Sequence, residues 1–235
     1  MENLNIQNTE GNDLLNSSRS EFYKKTYLHV AGAIGIFALL TTFLIQQGFG
    51  KVMMELLSKS EYSWLIVLGL FMGVSWIANK WAHSGTSRNV QYAGLGLFII
   101  AESIIFLPLM YMAVVFTDGN ALSSAGIVTG FLVLGISSLA FITKKDFGFL
   151  GKYLMIGGFV AMGTIVAGIL FGFSLGVWFS GALVIFAGFS LLHSTSNLIH
   201  HYNEEQYVAA SLALFSDIAL MFYYLVQIFI PVSDD

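Results

Sequence analysis

Seven apolar stretches, each long enough to cross a bilayer and joined by short polar turns, constrain this chain more than any other feature. A helix needs about 20 consecutive apolar residues to span the hydrocarbon core. The stretches run from about Tyr27 to Gln46, Ser63 to Trp81, Gln91 to Phe116, Ala121 to Ile142, Gly151 to Phe173, Val177 to Ile199 and Tyr207 to Ile230. Lipid offers the backbone no hydrogen-bond partners, so each stretch must satisfy its own amides as a helix. The sequence therefore predicts an all-α integral membrane protein, a seven-transmembrane-helix bundle. Composition agrees, with 56% hydrophobic and 10% charged residues, against about 25% charged in soluble domains. Ten Lys and Arg against 14 Asp and Glu leave no basic face for nucleic acid. The absence of cysteine excludes disulfides and thiolate chemistry.

Three segments are expected: a polar, flexible cytoplasmic tail at 1–26, the transmembrane domain at 27–230, and a short acidic tail at 231–235. The first segment lacks an apolar core behind a basic start, so the first span is expected to act as the targeting signal. Arg19, Lys24, Lys25, Lys80, Arg88, Lys144, Lys145 and Lys152 fall on the N-terminal side of the seven spans, and only Lys51 and Lys59 on the other. The positive-inside rule then predicts a cytoplasmic N-terminus and an outside C-terminus. A bacterial inner membrane suits a chain of this kind. Trp64, Trp81, Tyr92, Trp178 and Tyr207 sit near span ends, as interfacial anchors do. Between Gln47 and Tyr62, Val52-Met53-Met54 and Leu56-Leu57 suggest a short amphipathic surface helix. The pairs Gly126 with Gly130 and Gly168 with Gly172 predict close helix contacts.

An ionisable residue within a membrane helix is costly and points to function. Glu102 and Asp217 stand out, each about 15 Å from the first-side interface at the helical rise per residue. No Lys or Arg lies at that depth. Facing one cavity, the two carboxylates would share a proton or bind a cation. Alternatively, each is held by a hydroxyl of a neighbouring helix. His193 and His200 are seven apart and share a helical face. His193 is a candidate proton acceptor or metal ligand, or an interfacial histidine held by a hydroxyl. His200, His201, Glu204 and Glu205 read as a solvated loop. A zinc site from His193, His200 and an acid matches no recognised spacing, so no metal is assigned. Pro108 is expected to kink the third span just past Glu102. There is no His-Glu-x-x-His, no Gly-x-Ser-Gly and no phosphate-binding loop, so an enzyme is not expected and no cofactor is called for.

Two segments carry a resemblance. Phe141 to Gly151 reads FITKKDFGFLG and Ala210 to Ile218 reads ASLALFSDI. The first is similar to the Thr-Lys-Arg-Asp-Phe-x-x-Leu-Gly segment of the Bax inhibitor-1 family, and the second to that family's last-helix Ala-x-x-Leu-Tyr-Leu-Asp pattern. With the seven spans, the chain resembles a bacterial-type member over roughly Phe22 to Ile230. The resemblance implies a bundle with its last helix at the centre and a proton-sensitive calcium leak governed by two aspartates. Asp217 matches one of them. The other falls in a Tyr-Asp-Thr motif that reads His193-Ser194-Thr195 here, so Ser194 stands where the family has an aspartate. Either His193 or Glu102 substitutes, or the pH gate is altered; His193, when charged, could pair with Asp217. The expected function is a pH-sensitive cation leak, with the bilayer, protons and transiently bound Ca2+ as partners. The other reading is a membrane protein that modulates a membrane protease or another protein partner.

Overall fold

The computed structural model describes residues 2–60, 62–85 and 87–230, with side chains from Ser17 onward. The acidic tail at 231–235 lies outside the described residues. The helices are α1 (Glu2–Gln46), α2 (Phe49–Ser58), α3 (Ser63–Ala82), α4 (Arg88–Thr117), α5 (Asn120–Thr143), α6 (Leu150–Phe171), α7 (Gly176–His200) and α8 (Tyr207–Phe229), with a 3-10 turn at Glu204–Gln206. Seven of them, α1 from Ser17 and α3 to α8, are long and apolar enough to cross a membrane. No strand occurs among the described residues.

Local chemistry sets the boundaries. The Ser87 hydroxyl accepts from the Val90 amide, so α4 begins at Arg88, one turn before the apolar run. Gly172, at φ +69°, takes the left-handed cap that ends α6. The polar segment before Tyr27 is helical rather than irregular, and α1 continues through it. The chain's two prolines are Pro108 and Pro231, so none interrupts α1, and Lys25 pairs with Glu21 one turn earlier at 2.7 Å. Pro108 lies inside α4, which continues past it without a break. The amphipathic segment forms α2, with Phe49, Val52 and Leu56 exposed and Gly50 seated on the Tyr111 ring of α4.

The last helix is central. Half of the most apolar stretch of α8 is buried and 56% of that of α4, against 6% for α6. Phe215, Met221 and Val226 of α8 are almost fully enclosed, as are Leu191 of α7 and Phe22 of α1. Lipid tails are as apolar as leucine, so this core is held by packing and not by exclusion of water. Close approach needs small residues, but the expected glycine pairs do not supply it. A side chain at Gly126 or Gly130 would meet nothing within 4 Å, and Gly172 is a cap. The close approach occurs at Gly94 instead. A Cβ there would lie 2.6 Å from both the Ala78 carbonyl oxygen and the Ala82 nitrogen of α3.

Gly94→Ala is therefore expected to destabilise the protein by about 1–3 kcal/mol, the usual cost of overpacking. Gly126→Ala should be neutral. Thermal unfolding in detergent, compared between the two variants, checks this; equal melting points would contradict the α3–α4 contact.

Candidate functional site

Asp217 lies ten residues into α8, about 15 Å from its start, on the side facing α7. It is 8% exposed. Ser190 of α7 donates to its Oδ1 at 2.6 Å. Ser194, one turn along α7, lies close to the same carboxylate. Oδ2 is buried and accepts no hydrogen bond among the described residues. No lysine, arginine or histidine pairs with it among the described residues. The field of Asp217 reaches Tyr202, beyond the end of α7, whose hydroxyl pKa is raised, chiefly by burial. This is a single buried carboxylate with Oδ1 held by the Ser190 hydroxyl and Oδ2 without a hydrogen-bond partner among the described residues, a group able to bind a proton or take part in coordinating a cation.

Glu102 does not face Asp217. Phe215, Ala219 and Tyr223 follow one another at four-residue spacing on α8, while Asp217 lies about 200° around the helix from Phe215. On α4, Phe98, Glu102 and Phe106 share one face in the same way. The rings show that these two faces meet, with Phe98 on Phe215 at 6.1 Å and Phe106 on Tyr223 at 4.9 Å. Phe37 of α1 closes the group against Phe106 and Phe215. Glu102, 6% exposed, thus sits in an aromatic enclosure on the far side of α8 from Asp217. The same ring pairs set Glu102 level with Ala219, only about 3 Å along from Asp217. The expectation of two carboxylates facing one cavity is corrected: α8 itself separates them.

His193 also turns away from Asp217. Its Nδ1 meets the Phe147 carbonyl at 3.2 Å, and its Nε2 meets the Asn197 amide at 3.1 Å. Its ring lies against Gly151, where a Cβ would come within 3.0 Å. Its bonds to the Phe147 carbonyl and the Asn197 amide hold the ring at the α5–α6 loop. The proposed His193–Asp217 ion pair does not form, and His193 anchors that loop instead. Among the described residues, no three His, Asp or Glu side chains converge as metal ligands, so His193 and His200 do not build a zinc site there.

Three features escaped the sequence. Ser190 is the first, although its four-residue spacing from Ser194 marks one helical face. The second is Arg19, which donates to the carbonyls of Leu198, Ile199 and Tyr202 at 2.6–2.8 Å and so caps the end of α7. The third is Asp146 of the Lys-Lys-Asp segment. Its carboxylate accepts from the Gly148 amide at 2.7 Å and pairs with His201 at 3.1 Å. Ser196 meanwhile accepts from the Phe147 amide. His201 is thus tied to the α5–α6 loop rather than free in solvent.

The Gly148 amide first, and then His201, hold the Asp146 carboxyl below the usual carboxylate range. A depressed folded pKa contributes stability above the unfolded value, and that stability is lost as pH falls through the folded value. Docking of the loop should therefore persist at neutral pH and weaken on acidification. Asp146→Ala should mimic the acid state, with several-fold faster hydrogen exchange at the Phe147 and Gly148 amides and little change in the middle of α8. Unchanged exchange would show that Asp146 does not hold the loop.

The chain is similar to an uncharacterized protein of Pseudomonas aeruginosa, at 28% identity over 68% of each chain. It is 32% identical to Protein LIFEGUARD 4 of Arabidopsis thaliana over 60% of this chain and 57% of that one. It is 30% identical to the Golgi anti-apoptotic protein of vaccinia virus over 56% of this chain and 54% of the viral one. No solved structure matches. The family described as "Inhibitor of apoptosis-promoting Bax1" matches residues 19–234. That span takes in all seven membrane helices, both signature segments and Asp217, and the chain belongs to this Bax inhibitor-1 family.

Proposed function

We propose that the chain is a pH-sensitive leak pathway for cations, calcium in particular, controlled at Asp217. The supporting observation is the bonding of that carboxylate: buried in the central helix, without a countercharge, held at one oxygen by Ser190 and open at the other. A charge placed there without function would be an uncompensated cost in a membrane protein. Ser194 adds a neutral hydroxyl where the family pattern has a second aspartate, so one carboxylate carries the control that two would share. Glu102, on the opposite face of α8, has no direct part in that gate.

The proposed setting is a bacterial inner membrane with the N-terminus in the cytoplasm and the C-terminus outside, which the Lys and Arg distribution supports. A second reading, a membrane regulator acting through a protein partner, draws support from the viral relative's name, Golgi anti-apoptotic protein.

The test is calcium entry into proteoliposomes carrying an internal calcium dye, followed from about pH 6 to pH 8, the range in which perturbed carboxylates and histidines titrate. Wild type should admit calcium with a rate that depends on pH. Asp217→Asn should change the rate and flatten the pH profile, and Ser190→Ala should shift the profile without abolishing flux. Glu102→Gln should leave the profile's midpoint in place. No flux at any pH would favour the regulator reading. Flux indifferent to Asp217→Asn would place the gate elsewhere.

A further inference from the structure

At the end of the bundle that holds Lys25 of α1, Arg88 of α4 and the start of α8, the three helices border a cleft of about 220 Å³. Two cations and an aromatic ring form its inner part. The Arg88 guanidinium lies 4.6 Å from the centre of the Tyr207 ring, and the Lys25 ammonium 5.8 Å from it. Tyr207 exchanges a hydrogen bond with Tyr92 at 2.9 Å, and Tyr92 contacts His29. Three carboxylates line the cleft with them: Glu21, one turn above Lys25, and Glu204 and Glu205 of the 3-10 turn. Lys25 is paired with Glu21 at 2.7 Å, and Arg88 lies level with Glu205, to whose carbonyl it donates, so both signs of charge stand side by side in the cleft.

Below the cleft, the helix surfaces are apolar and open. On α1 the face of Lys25 continues through Gly32, Ile36 and Leu39. Ile36 and Leu39 are exposed, and a side chain at Gly32 would meet nothing within 4 Å. On α4 the row from Arg88 continues through Tyr92, Gly96 and Ile100, and Gly96 is likewise open. A polar cleft of both charges therefore sits directly above an exposed apolar strip floored by glycine.

We propose that this is a phospholipid site that takes a phosphoethanolamine headgroup. The phosphate rests on Lys25 and Arg88, the ammonium lies among Glu21, Glu204 and Glu205, and an acyl chain follows the glycine-floored strip. Charge complementarity selects this class. Three acids outnumber two bases in the cleft, so a purely anionic headgroup would meet net repulsion, while a zwitterion meets both signs. A choline headgroup carries the same charges but has no N–H to donate to a carboxylate. Basic pockets between membrane helices recognise headgroups by the same physics.

The test is native mass spectrometry of the full chain in detergent, with phosphatidylethanolamine, phosphatidylcholine and phosphatidylglycerol of matched acyl chains. Retention of the ethanolamine lipid should exceed that of the other two by about tenfold, the value of one charge-assisted hydrogen bond. Lys25→Gln should lower retention of all three lipids several-fold, because each carries the phosphate. Glu204→Gln combined with Glu205→Gln should erase discrimination against choline while phosphate binding persists. Arg88 also donates to the Glu205 backbone and to Gln91, so Lys25→Gln, with its melting point checked, is the decisive variant. Equal retention of choline lipid, stronger retention of glycerol lipid, retention unchanged in Lys25→Gln, or a preference unchanged in the Glu204→Gln, Glu205→Gln variant would overturn the proposal. So would displacement of bound lipid by soluble O-phosphoethanolamine at equal concentration, because the strip would then add nothing.

Discussion

The architecture depends on what α8 must do without water. It is the most enclosed of the spans after α4, and it carries polar or charged groups on two opposite faces. Each buried polar group has to find a partner within the protein or bear the cost of being left alone. The face toward α7 answers with hydroxyls, Ser190 and Ser194 on Asp217. Farther along, Gln227 accepts from Ser180 at 2.9 Å. The face toward α4 answers with rings, and Glu102 sits among them. The spans packed on α8 cover these faces, and α6, which covers neither, is left almost wholly exposed.

The ends of the helices on the basic side are fastened more firmly than the membrane-embedded parts. Arg19 reaches from α1 to the last carbonyls of α7, stacked against Phe22 and Tyr23. The α5–α6 loop is bound to the same end of α7 through Asp146, Ser196 and His193. These bonds are charge-assisted or bring backbone groups together, whereas the contacts in the bundle are dispersive. The end of α7, one turn from Ser194, is thus tied from two directions at once. A rearrangement that opened the Asp217 site toward this side would have to break such bonds rather than slide past them.

Much of this was legible in the chain, and the reason is physical. Hydrocarbon thickness fixes span length, so the seven spans and their approximate ends could be read directly. The depth of Asp217 could too, because depth is only a count along a helix. What could not be read was rotation. Lipid-facing and core-facing residues are equally apolar in these spans, so no periodic pattern reports which face turns inward. For that reason Gly126 and Gly130 looked like a contact and proved open, while Gly94 carries the close approach. For the same reason Glu102 and Asp217, both at membrane depth, seemed to share a cavity. The spacing of Ser190 and Ser194 held the missing information, but only once Asp217 was known to face α7.

The serine at 194 gains its meaning from this rotation. A histidine beside it could have supplied a charge, but the ring of His193 is held at the α5–α6 loop, where both of its nitrogens are engaged. Glu102 could have supplied it by depth, yet the body of α8 stands between. With both substitutes excluded by geometry, nothing bearing a charge faces Asp217 from α7, and its immediate neighbours are two neutral hydroxyls. Such a site differs in kind from a pair of carboxylates. Two carboxylates hold a shared proton between helices and repel when it leaves, which pries the helices apart. A single carboxylate against serines has no such repulsion. If α7 and α8 separate when Asp217 changes charge, the cause must be solvation of that one group, not a push between two.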